Sequence, residues 1–408
     1  MLDVYSIRKD FPILNRKVNG NNLIYVDNAA TTHKPLQVLD AIKEFYIKHY
    51  ANVHRGIHKL SQEASDLYES ARLHVANLIN AEPEEIVFVK NATEGVNLVA
   101  YGWGMINLDR GDTVLHTLMD HHATIVPFYI VSKYRGFRQK MVGITDDGYI
   151  DMGVYEDLLS LNPRLFTFPH VSNMLSTVND AKKLIKMAHR YGALVLLDAT
   201  QSIPHMKVDV KDLDVDFMVF SAHKMCGPTG VGVVYIKKDH YQSMNPFLGG
   251  GDMIRDVGYN EYFEPIVKYN DVPVMYEAGT QNIVGISVYP KSIEYLEKIS
   301  FDYIHEHIKR LGWETYEALR EVKGIRLYGP DTYRDRAGII SFNVDGFSAH
   351  EVAAYLDSLG IAVRSGHHCT GPLHKRLGIP SSARISYYIY NTHEEVEYIV
   401  DSLGRLIQ

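Results

Sequence analysis

The chain has 408 residues, of which 46% are hydrophobic and 22% charged. That balance belongs to a globular protein large enough to bury a core without disulfide staples. Its formal charge of −7 argues against nucleic acid or an anionic membrane surface as a partner, and no apolar run approaches the roughly 18 residues that a membrane helix needs. Only two cysteines occur, Cys226 and Cys369, and neither belongs to a CxxC pair, which excludes a disulfide framework and a zinc knuckle. The first residues carry charge throughout and lack the apolar stretch of a signal peptide. Together with two isolated thiols, this makes a cytoplasmic location the expectation.

In chain order, residues 1–20 are expected to pack on a small C-terminal domain. Helical spacing marks residues 37–50 and 61–79, the second with Leu60, Ala64, Leu67, Ala71 and Val75 on one stripe. Strand-length apolar runs follow at 85–89, 113–116, 165–168, 193–197 and 216–220. Apolar runs alternating with helices predict a mostly parallel sheet covered on both faces, an α/β fold. A break near 287–290 places a domain boundary at about residue 287, so 21–287 forms a large domain and 288–408 a small α+β one. Beyond the break a long helical pattern covers 293–322. Strand 338–342, helix 349–359, strands 361–364 and 383–388, and a helix from residue 392 complete the small domain.

Two neighbouring strand ends carry the strongest chemical signal. One runs into Asp198-Ala-Thr-Gln201, the other into Ser221-Ala-His-Lys224 and a glycine-bearing turn. Ligands of open α/β sheets bind at the carboxyl ends of strands. A lysine there can form a Schiff base with an aldehyde cofactor, and an aspartate beside it can keep a pyridine nitrogen protonated. Ser221 and His223 can bind a phosphate, as can Thr93 in the segment Asn91-Ala-Thr93-Glu-Gly95 that opens a helix. Singly, each feature is ordinary; their coincidence at adjoining strand ends points to pyridoxal 5'-phosphate. His121-His122 follows another strand, and His121 is a candidate to lie against the pyridine ring and move protons. No HExxH, EF-hand or P-loop pattern occurs, and no metal site is expected.

These segments, with Arg364-Ser-Gly-His-His-Cys369, resemble the aminotransferase class V group and within it the cysteine desulfurases. The similarity extends from Tyr25-Val-Asp-Asn-Ala-Ala-Thr-Thr32 through Val53-His-Arg-Gly-Ile-His58 and His170-Val-Ser-Asn173 to Tyr390-Asn-Thr-His-Glu-Glu395. The resemblance implies a type I PLP-dependent aminotransferase-like fold and a homodimer with active sites near the subunit interface. It makes Lys224 the cofactor-bearing lysine, Asp198 the partner of the pyridine nitrogen and His121 the ring-stacking histidine. Asn173 and Gln201 would lie near the ring's phenolic oxygen. Thr93, Ser221 and His223 would bind phosphate, together with Thr280 from the other subunit. Arg384 would grip the substrate carboxylate, with Arg364 as a second substrate-side arginine. Cys369 matches the nucleophile that takes sulfur from L-cysteine and becomes a persulfide, and its local chemistry agrees, because Arg364, His367 and His368 favour a thiolate. Cys226 reads as packing.

Cys369 is the fifth residue after Arg364, a short connection that resembles the Suf-type (group II) branch supplying iron–sulfur cluster assembly. A small sulfur-acceptor protein, SufE-like or a zinc-containing scaffold, is the implied partner. His350 matches a histidine of the zinc-dependent branch, and reads equally well as a surface residue at a helix start. Asp120, Ser176, Thr200 and Thr370-Gly371 depart from the family pattern without removing a catalytic group. Three alternatives remain open: a selenocysteine lyase, another class V enzyme such as a kynurenine hydrolase or amine epimerase, and a catalytically dead assembly protein.

Overall fold

A computed structural model describes residues 3–407. Its centre is a seven-stranded sheet made of β1 (Ile86–Val89), β2 (Thr113–Thr117), β3 (Arg138–Val142), β4 (Leu165–Pro169), β5 (Leu194–Asp198), β6 (Phe217–Ser221) and β7 (Gly232–Ile236). The spatial order is β1-β7-β6-β5-β4-β2-β3. Strands β6 through β3 pair in parallel, while β7 runs antiparallel to both β1 and β6. Successive side chains of the central strands enter different cores. Ile86, Phe88, Val195, Leu197, Met218 and Phe220 join one cluster; Val87, Val89, Leu196, Phe217 and Val219 join the other. The sheet is therefore buried on both faces, which is why its strands read as continuous apolar runs.

Two strands escape the apolar-run reading. Arg138–Val142 alternates exposed and half-buried positions at the sheet edge, where Arg, Gln and Lys are tolerated. Gly232–Ile236 is fully buried, but it follows the lysine turn so closely that it reads as part of that motif. An exposed hairpin, β8 (Ile254–Tyr259) with β9 (Pro265–Tyr269), also lies where no strand is expected.

The helical pattern over 293–322 resolves into two helices, Ile283–Ile299 and Phe301–Arg320. Ser300, at φ 81°, breaks them apart. Residue 287 lies inside the first of these helices, with Pro290 buried in the same helix, so no linker occurs there. The C-terminal unit holds a four-stranded sheet of β10 (Ile325–Leu327), β11 (Ile339–Val344), β12 (Arg364–Gly366) and β13 (Ser382–Ser386), in the order β10-β11-β13-β12. The single strand expected over 361–364 is split. Ile361–Ala362 pairs with Ile24–Tyr25, and Arg364–Gly366 pairs with β13. The N-terminal segment, expected on the small domain, contacts residues on both sides of position 287: Arg8 contacts Glu395 and the Tyr390 carbonyl, while Asp10 contacts Gln37 and Tyr295. Among the described residues, no helix is long and apolar enough to cross a membrane.

Candidate active site

Strands β4, β5 and β6 end along one edge of the sheet, with Pro169 opposite Asp198 and Asp198 opposite Val219. Past Ser221 the chain enters the short 3-10 turn Ala222–Lys224, which brings Lys224 over the strand tips. Facing it is the start of helix Ala92–Leu98. Asn91 caps that helix, its Oδ1 accepting the Glu94 N–H at 2.9 Å, and Ser221 Oγ accepts the Ala92 N–H at 2.9 Å. Two glycines permit this approach. A Cβ on Gly232 would stand 2.5 Å from the Asn91 backbone, and one on Gly95 would stand 2.7 Å from the Val234 side chain.

A cavity of about 280 Å³ opens above the strand tips, and its wall contains every predicted site residue except Thr280. Thr280 is exposed outside it, on the stretch that follows Glu277. Glu277 is pinned inside the fold, accepting from Arg72 Nη1 and the Phe88 N–H, each at 2.7 Å. Cys226 is fully buried, and desolvation pushes its thiol up to about 12, so it packs rather than reacts.

Desolvation draws the Lys224 amine down to about 8, against the attraction of Asp198; the charges of Arg384 and Arg364 add to the fall. His121 caps helix His122–Arg135, its Nδ1 accepting the Ala123 N–H at 3.1 Å. That bond assigns the ring proton to Nε2. Burial lowers His121 to about 4, opposed by Asp198, so the ring is neutral at physiological pH. Behind it, buried Asp120 accepts the hydroxyls of Thr117, Thr124 and Thr167 and fixes the turn into the helix. Gln201 Nε2 donates to the Ala29 carbonyl at 2.8 Å, and Asn173 Nδ2 to the His368 carbonyl at 2.8 Å.

Arg364 and Arg384 sit directly opposite each other on β12 and β13. Like charges in that relation repel unless an anion lies between them. Asp27 answers part of the charge, accepting from Arg384 Nη2 at 3.1 Å, while Arg384 Nη1 donates to the Asn173 carbonyl at 3.0 Å. Arg384 Nε is buried and has no partner among the described residues. Burial lowers the Arg384 pKa, with Asp27 opposing. This end of the cavity is one anion short.

Three residues at the site were given no site role by the sequence. Asp27 belongs to a recognised segment, but its ion pair forms across more than three hundred residues of chain and is invisible to local reading. Thr200 donates its N–H to Asp198 Oδ1 at 3.0 Å, and its buried hydroxyl has no partner among the described residues. His122 touches the Cys369 turn. His350, outside the cavity, has Nδ1 2.8 Å from Ser365 Oγ.

A family model described as aminotransferase class V matches residues 24–399. The chain belongs to that family. Among its relatives, a cysteine desulfurase of Haloferax volcanii is 44% identical over 98% of this chain and 96% of that protein. A cysteine desulfurase of Escherichia coli is 42% identical over 99% and 98%. The structure of a cysteine desulfurase from Thermococcus onnurineus superposes with a TM-score of 0.93 at 39% identity, covering 100% of this chain and 98% of that one. The E. coli cysteine desulfurase CsdA superposes with a TM-score of 0.90 at 30% identity, covering 99% and 98%. This class V member thus sits among the cysteine desulfurases, a pyridoxal-phosphate group, and its donor set fits that cofactor. An amine of lowered basicity shares the cavity wall with a carboxylate that attracts it. The hydroxyls of Thr93 and Ser221 and the His223 ring line the same wall, and the unpartnered Thr200 hydroxyl lies beside Asp198.

Proposed function

We propose that this protein transfers the sulfur of L-cysteine to Cys369 and releases L-alanine, and that it then passes the sulfur to an acceptor protein for iron–sulfur cluster assembly. The single observation that carries this reading is the presence of Cys369 in the same cavity wall as Lys224, Asp198 and the two opposed arginines. A lyase, hydrolase or epimerase has no need of a thiol there, and an inert scaffold has no need of a lysine held near pKa 8.

When bound, pyridoxal 5'-phosphate supplies an aldehyde for an amine and an electron sink for charge at the substrate α-carbon. Lys224 would carry the cofactor, and its lowered pKa keeps enough neutral amine to capture an aldehyde and to move the α-proton. Asp198 would hold a proton on the ring nitrogen, and neutral His121 would present an uncharged face. Asn173 and Gln201 would lie beside the ring oxygen. Thr93, Ser221 and His223 would bind the phosphate, with Thr280 arriving from a second subunit. Arg384, through its unpartnered Nε, and Arg364 would bind the substrate carboxylate, completing the charge balance between them. The Cys369 thiolate then bonds to the substrate sulfur, and the C–S bond breaks with its electron pair left on carbon. Protonation there yields alanine, so L-cysteine and a thiol become L-alanine and a persulfide.

The short connection from Arg364 limits how far Cys369 can travel, so a small acceptor, SufE-like or a zinc-containing scaffold, would have to reach the cavity mouth; His350 beside Ser365 would face it. Residues 21–287 and 288–408 would act as the large and small units of a cytoplasmic homodimer, with helix Ile283–Ile299 bridging them. The test is mass spectrometry of the holoenzyme after exposure to L-cysteine. One added sulfur on Cys369 with stoichiometric alanine is expected, and neither in Cys369→Ala. Sulfide release that survives Cys369→Ala unchanged would reject the reading.

A further inference from the structure

His368 and Cys369 form the centre of a tight turn closed by the Thr370 N–H donating to the His367 carbonyl at 2.8 Å. Both central residues have positive φ, 48° at His368 and 57° at Cys369, a conformation that turns normally give to glycine or asparagine. Such a turn persists only where its surroundings hold it. Two outside elements do so. Asn173 Nδ2 donates to the His368 carbonyl at 2.8 Å. His122 grips the turn twice: its main-chain N–H donates to the Cys369 carbonyl at 2.8 Å, and its ring Nε2 accepts the Gly371 N–H at 2.9 Å.

The second grip requires a bare Nε2, so the ring proton sits on Nδ1, and protonation of the ring removes the acceptor. The ring is half-buried. The titratable groups facing it are His121 on its own segment, His367 on the turn and His374 on helix Gly371–Leu377. All are imidazoles, with no carboxylate among them to stabilise a charged ring. The latch is therefore closed at neutral pH.

We propose that His122 is the positioning residue for Cys369: its neutral ring latches the strained turn that aims the thiol into the cavity, and loss of the Nε2 acceptor releases it. The inference rests on Cys369 being the sulfur acceptor, but it is read by a reaction that needs no substrate. Cys226 is buried, so alkylation of the holoenzyme by iodoacetamide reports Cys369 alone. Gln places an oxygen acceptor where Nε2 stands, whereas Asn and Ala do not reach Gly371. At about pH 8, where a free imidazole is neutral, His122→Ala and His122→Asn should alkylate about fivefold faster than wild type, the factor for losing one hydrogen bond. Their kcat for persulfide formation should fall by a similar factor with KM for L-cysteine little changed, and His122→Gln should match wild type in both. Lowering the pH through the histidine range should accelerate wild type relative to His122→Gln. If His122→Ala fails to load cofactor, the Gln and Asn pair decides. Equal alkylation of wild type and Asn, or of Gln and Asn, would overturn the latch. A protein inert toward L-cysteine that shows the predicted alkylation pattern would instead refute the desulfurase reading and leave the latch standing.

Discussion

Ser176 occupies a left-handed position, φ 68°, a conformation that favours glycine. A side chain there strains the backbone, yet its hydroxyl accepts the N–H groups of Ala337 and Ile339 at 3.0 and 3.3 Å, tying the large sheet's loop to β11. The serine exchanges backbone ease for two buried bonds. Ser176→Ala keeps the strain and removes the acceptor, so it should lower stability by about 1–3 kcal/mol in thermal or urea unfolding. Ser176→Gly relieves the strain and should lose less. An alanine variant as stable as wild type would show that the hydroxyl contributes nothing. The cavity-lining residues Lys224, Asp198 and Cys369 were legible because each stands in a distinctive local string. The pairing of Arg384 with Asp27 was not, because it is made by two segments from opposite ends of the chain.

Asp216, just before β6, ties several elements around the seven-stranded sheet together. Its carboxylate accepts the Val195 N–H at 2.8 Å and contacts His189 Nε2 at 2.9 Å and His240 Nε2 at 2.7 Å. Burial would raise its pKa, but the bonds to His189, His240 and Val195 outweigh that and hold it at about 2. A carboxylate depressed on folding stabilises the fold above its unfolded pKa of about 4 and loses that contribution as pH falls toward 2. His189 is raised, first through its bond to Asp216, so its share is complete below about 6.5 and fades as pH rises through the higher folded value. Urea midpoints should therefore fall for wild type between about pH 4 and 2, and Asp216→Asn should flatten that slope. An unchanged slope in the variant would remove Asp216 from the acid transition. Most strands with one continuous apolar run were readable in advance, Gly232–Ile236 excepted. The polar edge strand Arg138–Val142 and the helix break at Ser300 were not, because neither leaves a gap in hydrophobic spacing.

Thr280 is exposed outside its own cavity, and exposed apolar side chains include Leu39, Tyr46 and Ile47 on helix Leu36–Lys48, Val126, Tyr129 and Tyr134 on helix His122–Arg135, and Tyr259 and Phe263 on the hairpin. The proposed homodimer would account for both, and sedimentation should then give about twice 46.4 kDa. Subunits carrying Lys224→Ala and subunits carrying Thr280→Ala should each be impaired alone. Mixed, they should regain activity, because one cavity per heterodimer then has its own Lys224 and a partner-supplied threonine. A monomeric mass, or no gain on mixing, would withdraw Thr280 from the site.

Composition, hydrophobic spacing and the strings at strand ends were enough to establish the α/β class and to pick out Lys224, Asp198 and Cys369, which line one cavity. Each is either a local pattern or a short motif, and short-range sterics and side-chain chemistry act on both directly. Folding in three dimensions was needed to oppose two arginines across a ladder, to lower the basicity of Lys224, and to set His122 against the Cys369 turn. Those properties depend on burial and on contacts between distant segments, and no linear order of residues displays them.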